Sequence, residues 1–510
     1  MINLYCNSFQ CVYIFHKIKG GKEMKVKRIA SLLLALMMLA ATACGNDTVD
    51  GGKDTSSDVG SQGDDTAEAT RYTELGARDF GKEKFTILDA NDHPHIYINM
   101  PGDEISGETV SAELYKRDLF IENEYNVDIE WEQILWAKEG CETIRQCVLT
   151  NDDTYSMVIS TLPNNTLGTL ATEGLLYDLN SNEYLSLDKP WWSSLMAESL
   201  KIDDKVFYTT GDISPGIYQM AACVYVNPTV CETYGVTEDF YEIVRNGEWT
   251  YDKMLEMTKD KNRDVNNDNL MSAKDDFFGL ATFKVGISDI RRMMVSSGVS
   301  FTELNEDGNL VANYNNEKTL EIAEMIKDIF SVNMQYDDHR EVINNAFAED
   351  RAMMFIGLTE YAYIDLRDMD TDYIILPMPK YDEVQKNYIT LANAFSSTYV
   401  AIPKTVDTDR AGFIAEAMAY YSYTNIRPVA YEENFKMKAA RDEESFEMLD
   451  LIFDTLYIDF GTIFDFGGQQ RMLQDIIKGT KEFASGMAEI EAAMQAEITA
   501  LEEAWMDIEN

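Results

Sequence analysis

The stretch that decides the fold runs from Phe85 to Ser160. Phe85-Thr86-Ile87-Leu88 is a short apolar run that reads as a strand. Val110 to Tyr125 follows with Val110, Leu114, Ile121 and Tyr125 on one helical face. Val127-Asp128-Ile129-Glu130-Trp131 reads as a strand, Glu142 to Leu149 as a helix, and Tyr155-Ser156-Met157-Val158-Ile159-Ser160 as another apolar strand. Strands alternating with helices over short links predict an α/β fold with a parallel sheet, whose ligand crevice lies beyond the carboxyl ends of the strands.

Outward from this core the pattern persists. Lys253 to Lys259, Glu317 to Phe330 and Ala411 to Thr424 read as amphipathic helices; Met353 to Ile356, Tyr373 to Leu376 and Tyr399 to Ile402 read as strands. Near the end, Met487, Ile490, Met494, Ile498, Leu501 and Trp505 recur at three- and four-residue spacing, the stripe of a long helix packed on the body. There is no internal repeat. Beyond residue 80 the chain has ample length for two lobes.

The N-terminal segment sets the expected compartment. Lys25, Lys27 and Arg28 precede an apolar run from Ile29 to Ala43 that is too short to span a membrane comfortably. Ala41-Thr42-Ala43-Cys44 resembles a bacterial lipobox, with Ala41 where such motifs usually carry Leu. The resemblance implies a signal peptide over 24–43 and a Cys44 that receives lipid, including palmitate-type acyl chains. Residues 1–23 are expected to be upstream sequence translated from a misassigned start, with Gly20-Gly21-Lys22-Glu23 encoding a purine-rich ribosome-binding site. From Cys44 to about residue 80 the chain reads as a linker; residues 45–70 have no aromatic and cannot order themselves by burial. A tether of that length reaches roughly 25 to 30 Å. The expected location is the outer face of a bacterial cell membrane, held by lipid alone.

The formal net charge of −46 excludes nucleic acid and anionic lipid surfaces as partners, since both require basic patches. Cys141, Cys147, Cys223 and Cys231 fall in the folded part, and spacing selects no pairing among them. With no Cys-x-x-Cys present, cysteine zinc or redox chemistry is not expected.

Successive landmarks extend over the body. They are Lys189-Pro190-Trp191-Trp192, Val206-Phe207-Tyr208-Thr209-Thr210-Gly211-Asp212 and Val224-Tyr225-Val226-Asn227-Pro228. Gly247-Glu248-Trp249-Thr250-Tyr251-Asp252, Phe347-Ala348-Glu349-Asp350-Arg351-Ala352-Met353-Met354-Phe355 and Ile375-Leu376-Pro377-Met378-Pro379-Lys380-Tyr381 follow in order. From about residue 82 onward the chain resembles family 1 extracellular solute-binding proteins of the maltose-binding type. The resemblance implies a two-lobe, type II periplasmic-binding-protein fold with crossover hinge segments near 215, 393 and 430. One lobe would take 81–215 and 393–430, the other 216–392 and 431–510. Function by resemblance is capture of a mono- or oligosaccharide between the lobes and delivery to the permease subunits of an ABC importer, by a monomer that catalyses no reaction. A two-lobe receptor signals by closing, because a ligand that bridges both faces favours the closed state.

Sugar recognition needs flat apolar rings and planar polar groups. Candidate ligand-binding residues after the strands are Asn91 and Asp92, Trp136, Thr161 and Asn164, and Thr359, Glu360 and Tyr361; Asp212, Tyr218 and Asn393 lie near crossovers. Trp191 and Trp192 read as buried packing. Asp264-Val265-Asn266-Asn267-Asp268-Asn269-Leu270-Met271-Ser272-Ala273-Lys274-Asp275 fits a calcium loop, with Asp264, Asn266, Asp268, the Leu270 carbonyl and Asp275 as ligands of a structural Ca²⁺. An acidic turn without metal is the alternative. His93-Pro94-His95 lacks a third metal ligand, and Gly-x-Ser-x-Gly, HExxH and phosphate-loop motifs do not occur. Two other functions remain open: a receptor that feeds a sensor kinase, and a secreted carbohydrate-active enzyme with paired carboxylates.

Overall fold

The computed structural model describes residues 72, 74–92, 99–101, 109–162, 165–283, 287–306, 309–332, 334–336, 342–393, 397–435 and 443–508. The expected signal peptide, Cys44, the tether to residue 70, His93, His95 and Asn164 lie outside them.

The elements that position the site are, in chain order, β1 (Glu83–Asn91), α1 (Thr109–Tyr125), β2 (Val127–Leu135), α2 (Ala137–Leu149), β3 (Met157–Ser160) and α3 (Thr166–Thr172). Next come β4 (Ala222–Val226), β5 (Phe278–Phe283), α4 (Ile287–Ser296), β6 (Thr302–Leu304), β7 (Leu310–Ala312), α5 (Glu317–Val332) and β8 (Met334–Tyr336). The last group is β9 (Ala352–Leu358), β10 (Ile374–Pro377), β11 (Thr390–Leu391), β12 (Tyr399–Ala401), α6 (Thr408–Tyr421), α7 (Arg427–Phe435), α8 (Glu443–Asp454), β13 (Leu456–Tyr457), α9 (Gln469–Ile477) and α10 (Phe483–Met506).

Two sheets carry the architecture. The first has the order β12-β3-β1-β2, with β2 and β3 parallel to β1 and β12 antiparallel to β3. The second has the order β10-β4-β9-β5-β8; β5 runs parallel to β8 and β9, whereas β4 lies antiparallel between β9 and β10. Both sheets are therefore mixed, a departure from the parallel sheet expected of strand-helix alternation. The reversed strands, β4 and β12, are each reached from another sheet instead of through a helix within their own, so no right-handed crossover fixes their direction.

The strands read as apolar because they are buried on both faces: every residue of β3, β4 and β9 is buried. Two landmark segments meet in space. Lys380 N donates to Trp249 O at 3.0 Å, Tyr251 N donates to Lys380 O at 2.9 Å, and the Trp249 indole donates to Pro377 O at 2.8 Å.

Helix α10 buries the whole stripe Met487, Ile490, Met494, Ile498, Leu501 and Trp505. It packs on α9 and β7 of the second half and on α3 of the first. Its end is fixed by Lys205, whose Nζ donates to the carbonyls of Trp505, Met506 and Ile508 at 3.0, 2.9 and 2.9 Å. A cation there satisfies the orphan carbonyls and complements the helix dipole. Among the described residues Cys141, Cys147, Cys223 and Cys231 are free thiols, all but Cys147 buried. Among the described residues no helix is long and apolar enough to cross a membrane.

Candidate functional site

The Pro190-Trp191-Trp192 turn seats the first crossover segment. Both indoles are buried and donate to the carboxyl group of Glu416 on α6, which also accepts from Ser186 N at 3.2 Å. Asp212 N donates to Trp191 O at 3.0 Å, and a Cβ on Gly211 would stand 2.3 Å from that same carbonyl. Only glycine lets the crossover approach the turn this closely.

Beyond that contact the chain opens a cavity of about 730 Å³, within the size range of small-molecule sites. Its walls come from the 190–194 turn, from Gly211, Asp212, Ile217 and Tyr218 of the first crossover, and from α7, α8 and the π turn Ser422–Ile426 that joins α6 to α7. Tyr218, Tyr431 and Phe453 gather their rings on one side, with centroids 5.1 to 5.6 Å apart. Tyr423 and Phe446 add two more rings.

The ionisable groups include three carboxyls and one guanidinium, beside hydroxyls of Ser193, Ser194 and the tyrosines. Arg427 donates from Nε to Tyr431 Oη at 2.9 Å and from Nη2 to Asp454 at 3.0 Å and Asp450 at 3.4 Å. Burial works against the Arg427 charge, but Asp212, Tyr431 and Asp454 hold its pKa above the usual arginine value. Asp212 is buried, and its Oδ1 has no hydrogen-bond donor in the protein; the Tyr218 hydroxyl is likewise buried without a partner. Burial raises the Asp212 pKa to about 7, against the lowering effect of Arg427 and with a further raise from Asp454. Asp450 is also raised, first by partial burial.

Among the ligand-binding candidates read from sequence, Asp212 and Tyr218 line this cavity. The others are placed elsewhere. Asn91 is buried at the end of β1, and Asp92 Oδ1 accepts from Ala137 N at 2.8 Å, capping α2. Trp136 precedes α2 with φ 84° and is half exposed. Thr161 is buried with its hydroxyl unpartnered. Thr359 Oγ1 donates to Tyr218 O at 2.7 Å, and Glu360 N donates to Gln219 O at 2.9 Å, so both brace the crossover from behind. Tyr361 packs beside Phe355, and Asn393 lines a separate recess with Arg291 and Arg292.

Arg427, Tyr431, Asp450 and Asp454 were not among the sequence candidates. Arg427-Pro428 directly after an apolar helix, close to the expected crossover near 430, is the signal that marks them.

In the 264–275 loop, Asp264 Oδ2 accepts from Asn269 N at 2.8 Å, Asn266 Oδ1 from Asp268 N at 2.9 Å, and Asp268 Oδ1 from Leu270 N at 2.8 Å. Asn267 and Asn269 take left-handed φ of 59° and 63°. Fully buried Asp276 ties the loop's two ends, accepting from Val265 N and Ser272 N, while Asp275 accepts from Ser272 Oγ at 3.3 Å. Among the described residues no three His, Cys, Asp or Glu side chains gather as a metal cluster. The donor set here depends on Asn266 and a carbonyl as well.

No family model and no curated protein matches the sequence. Solved structures do match the fold. A cyclic alpha-maltosyl-1,6-maltose binding protein from Arthrobacter globiformis superposes with a TM-score of 0.55 at 11% identity, covering 82% of this chain and 99% of that one. The fold is that of a two-lobe solute-binding protein. An uncharacterized protein from Listeria monocytogenes shares this fold with a TM-score of 0.53 at 14% identity, covering 81% of this chain and 99% of its own. The cavity lies where residues 211–218, on the way from the first sheet to the second, pass α7 and α8.

Proposed function

We propose that this chain is an extracellular lipoprotein, anchored through Cys44, that captures a carbohydrate and presents it to the permease of an ABC importer without altering any of its bonds. The observation that carries the reading is the ring-lined cavity of about 730 Å³, beside which Asp212 Oδ1 and the Tyr218 hydroxyl are buried without a hydrogen-bond partner in the protein. Aromatic faces beside polar groups suit a sugar. One protein of this fold is named for binding cyclic alpha-maltosyl-1,6-maltose, which directs the proposal toward saccharides.

The test is calorimetric titration with a sugar panel, followed by chromatography of the recovered ligand. Saturable one-to-one binding with unchanged sugar supports capture; turnover would shift the reading to a carbohydrate-active enzyme. A histidine kinase gene beside this one, in place of permease genes, would favour the sensory alternative. Loss of palmitate labelling in Cys44→Ser tests the anchor. The 264–275 loop is proposed to hold a structural Ca²⁺, supported by its alternating oxygen side chains. An unchanged melting temperature in chelator would remove that metal.

A further inference from the structure

We infer that the solute taken by this cavity carries a protonated amine, as in an amino sugar, and that the Asp212 carboxyl receives it. The inference rests on the cavity being the ligand site and names the ligand's chemistry.

Three features of the wall point the same way. The first is charge. Asp212, Asp450 and Asp454 set three carboxyl groups against one cationic side chain, Arg427, whose Nε donates to Tyr431 and Nη2 to Asp450 and Asp454. Hydroxyls of Ser193, Ser194 and Tyr423 line the same wall and can serve a sugar's oxygens. An ammonium group is donor-only and positively charged, and it matches the surplus of carboxyls.

The second feature is the state of Asp212. It is 4% exposed, lines the cavity, and leaves Oδ1 without a donor from the protein. Buried carboxyl oxygens are ordinarily hydrogen-bonded, so an unmet one in a cavity wall marks where a ligand's donor is needed. The third is the ring cluster. Tyr218, Tyr431 and Phe453 stand within 5.1 to 5.6 Å of one another, and Arg427 already lies 5.4 Å from the Tyr431 centroid and 5.6 Å from that of Tyr423. Rings that accept one cation over their faces can accept another from the ligand.

The experiment uses the full chain in detergent and isothermal titration at about pH 7.5, where the alkylamine of spermidine is fully charged. The probes are the matched pairs glucose and glucosamine, and maltotriose and the fully deacetylated chitosan trimer, with spermidine as an amine that is not a sugar. The expected result is that each amine binds at least about tenfold tighter than its neutral match, the range of one charge-assisted hydrogen bond. Asp212→Asn should level the pair, and Asp450→Asn, at the cavity rim, should narrow the gap without removing it. If spermidine binds and no sugar does, the cationic ligand stands and carbohydrate capture falls. Neutral sugars binding as tightly as their amines overturns the inference and leaves carbohydrate capture intact. Silence from the whole panel also overturns it.

Discussion

Glu416 and Asp212 are both buried carboxyl groups beside the same Pro190-Trp191-Trp192 turn, yet they are treated in opposite ways. Glu416 accepts from two indole N–H groups and a backbone amide. Asp212 sits one hydrogen bond away from that turn through its backbone, and its Oδ1 receives nothing. A buried polar group that is fully satisfied rigidifies its surroundings, whereas one left short is costly unless something outside the chain completes it. The difference separates an acid whose hydrogen bonds the fold completes from one that the fold leaves short.

The strongest way to break this contrast is to remove Glu416. Glu416→Ala removes the acceptor shared by two buried indole N–H groups and the part-buried Ser186 amide, and each buried group left unmet costs about 1 to 3 kcal/mol. The expected loss is about 3 to 5 kcal/mol in unfolding free energy, measured by urea denaturation. A loss under about 1 kcal/mol would mean that the indoles find other partners, and the contrast would lose its structural half.

Asp212 should behave with the reverse sign. Its folded pKa of about 7 lies above the ordinary aspartate value of 3.8, mainly through burial. The native state therefore binds its proton more tightly than the unfolded chain. Between about pH 4 and pH 7 the native state holds the extra proton, so this group's contribution to stability falls as pH rises and levels off above pH 7. Asp212→Asn has no proton to lose. Without ligand, the variant should exceed the wild type by on the order of 4 kcal/mol at about pH 8, with the gap closing near pH 4. Denaturation curves at both pH values decide it; a gap independent of pH would take the burden off this carboxyl.

How much of this was legible beforehand follows the same division. The strands Phe85–Leu88 and Met353–Ile356 and the stripe from Met487 to Trp505 declare themselves because burial imposes a local period on the chain. The role of Trp191 and Trp192 as packing was readable too, since a Pro-Trp-Trp turn has apolar bulk and little else. Asp212 and Tyr218 were reachable through their position at a crossover. Their partners were not. Arg427, Tyr431, Asp450 and Asp454 lie more than 200 residues further along, on helices whose apolar faces say nothing about what the opposite face meets. A cavity wall assembled from such distant segments has no period, so only the folded chain brings it together. The loop-borne candidates Asp92 and Thr359 stand directly after strands. Their hydrogen bonds show the more ordinary use of such positions, capping a helix and bracing a turn.

The finest test compares two tyrosines. Tyr225 stacks on Phe355 at 4.5 Å, and its hydroxyl donates to Leu358 O at 2.7 Å, with Thr359 O at 3.2 Å. Tyr218 is as deeply buried, but its hydroxyl meets no acceptor in the protein. Both hydroxyls can be deleted with the ring left in place. Tyr225→Phe should cost about 1 kcal/mol or slightly more, because it removes a made bond and leaves a strand-end carbonyl unmet. Tyr218→Phe removes only an unsatisfied group, so its stability should stay within about 0.5 kcal/mol of the wild type or rise. Its effect should appear instead in ligand affinity, as a severalfold loss for whichever panel member binds. Equal destabilisation of the two variants would show that the Tyr218 hydroxyl serves the fold, and unmet hydrogen bonding would no longer point to the ligand at that position.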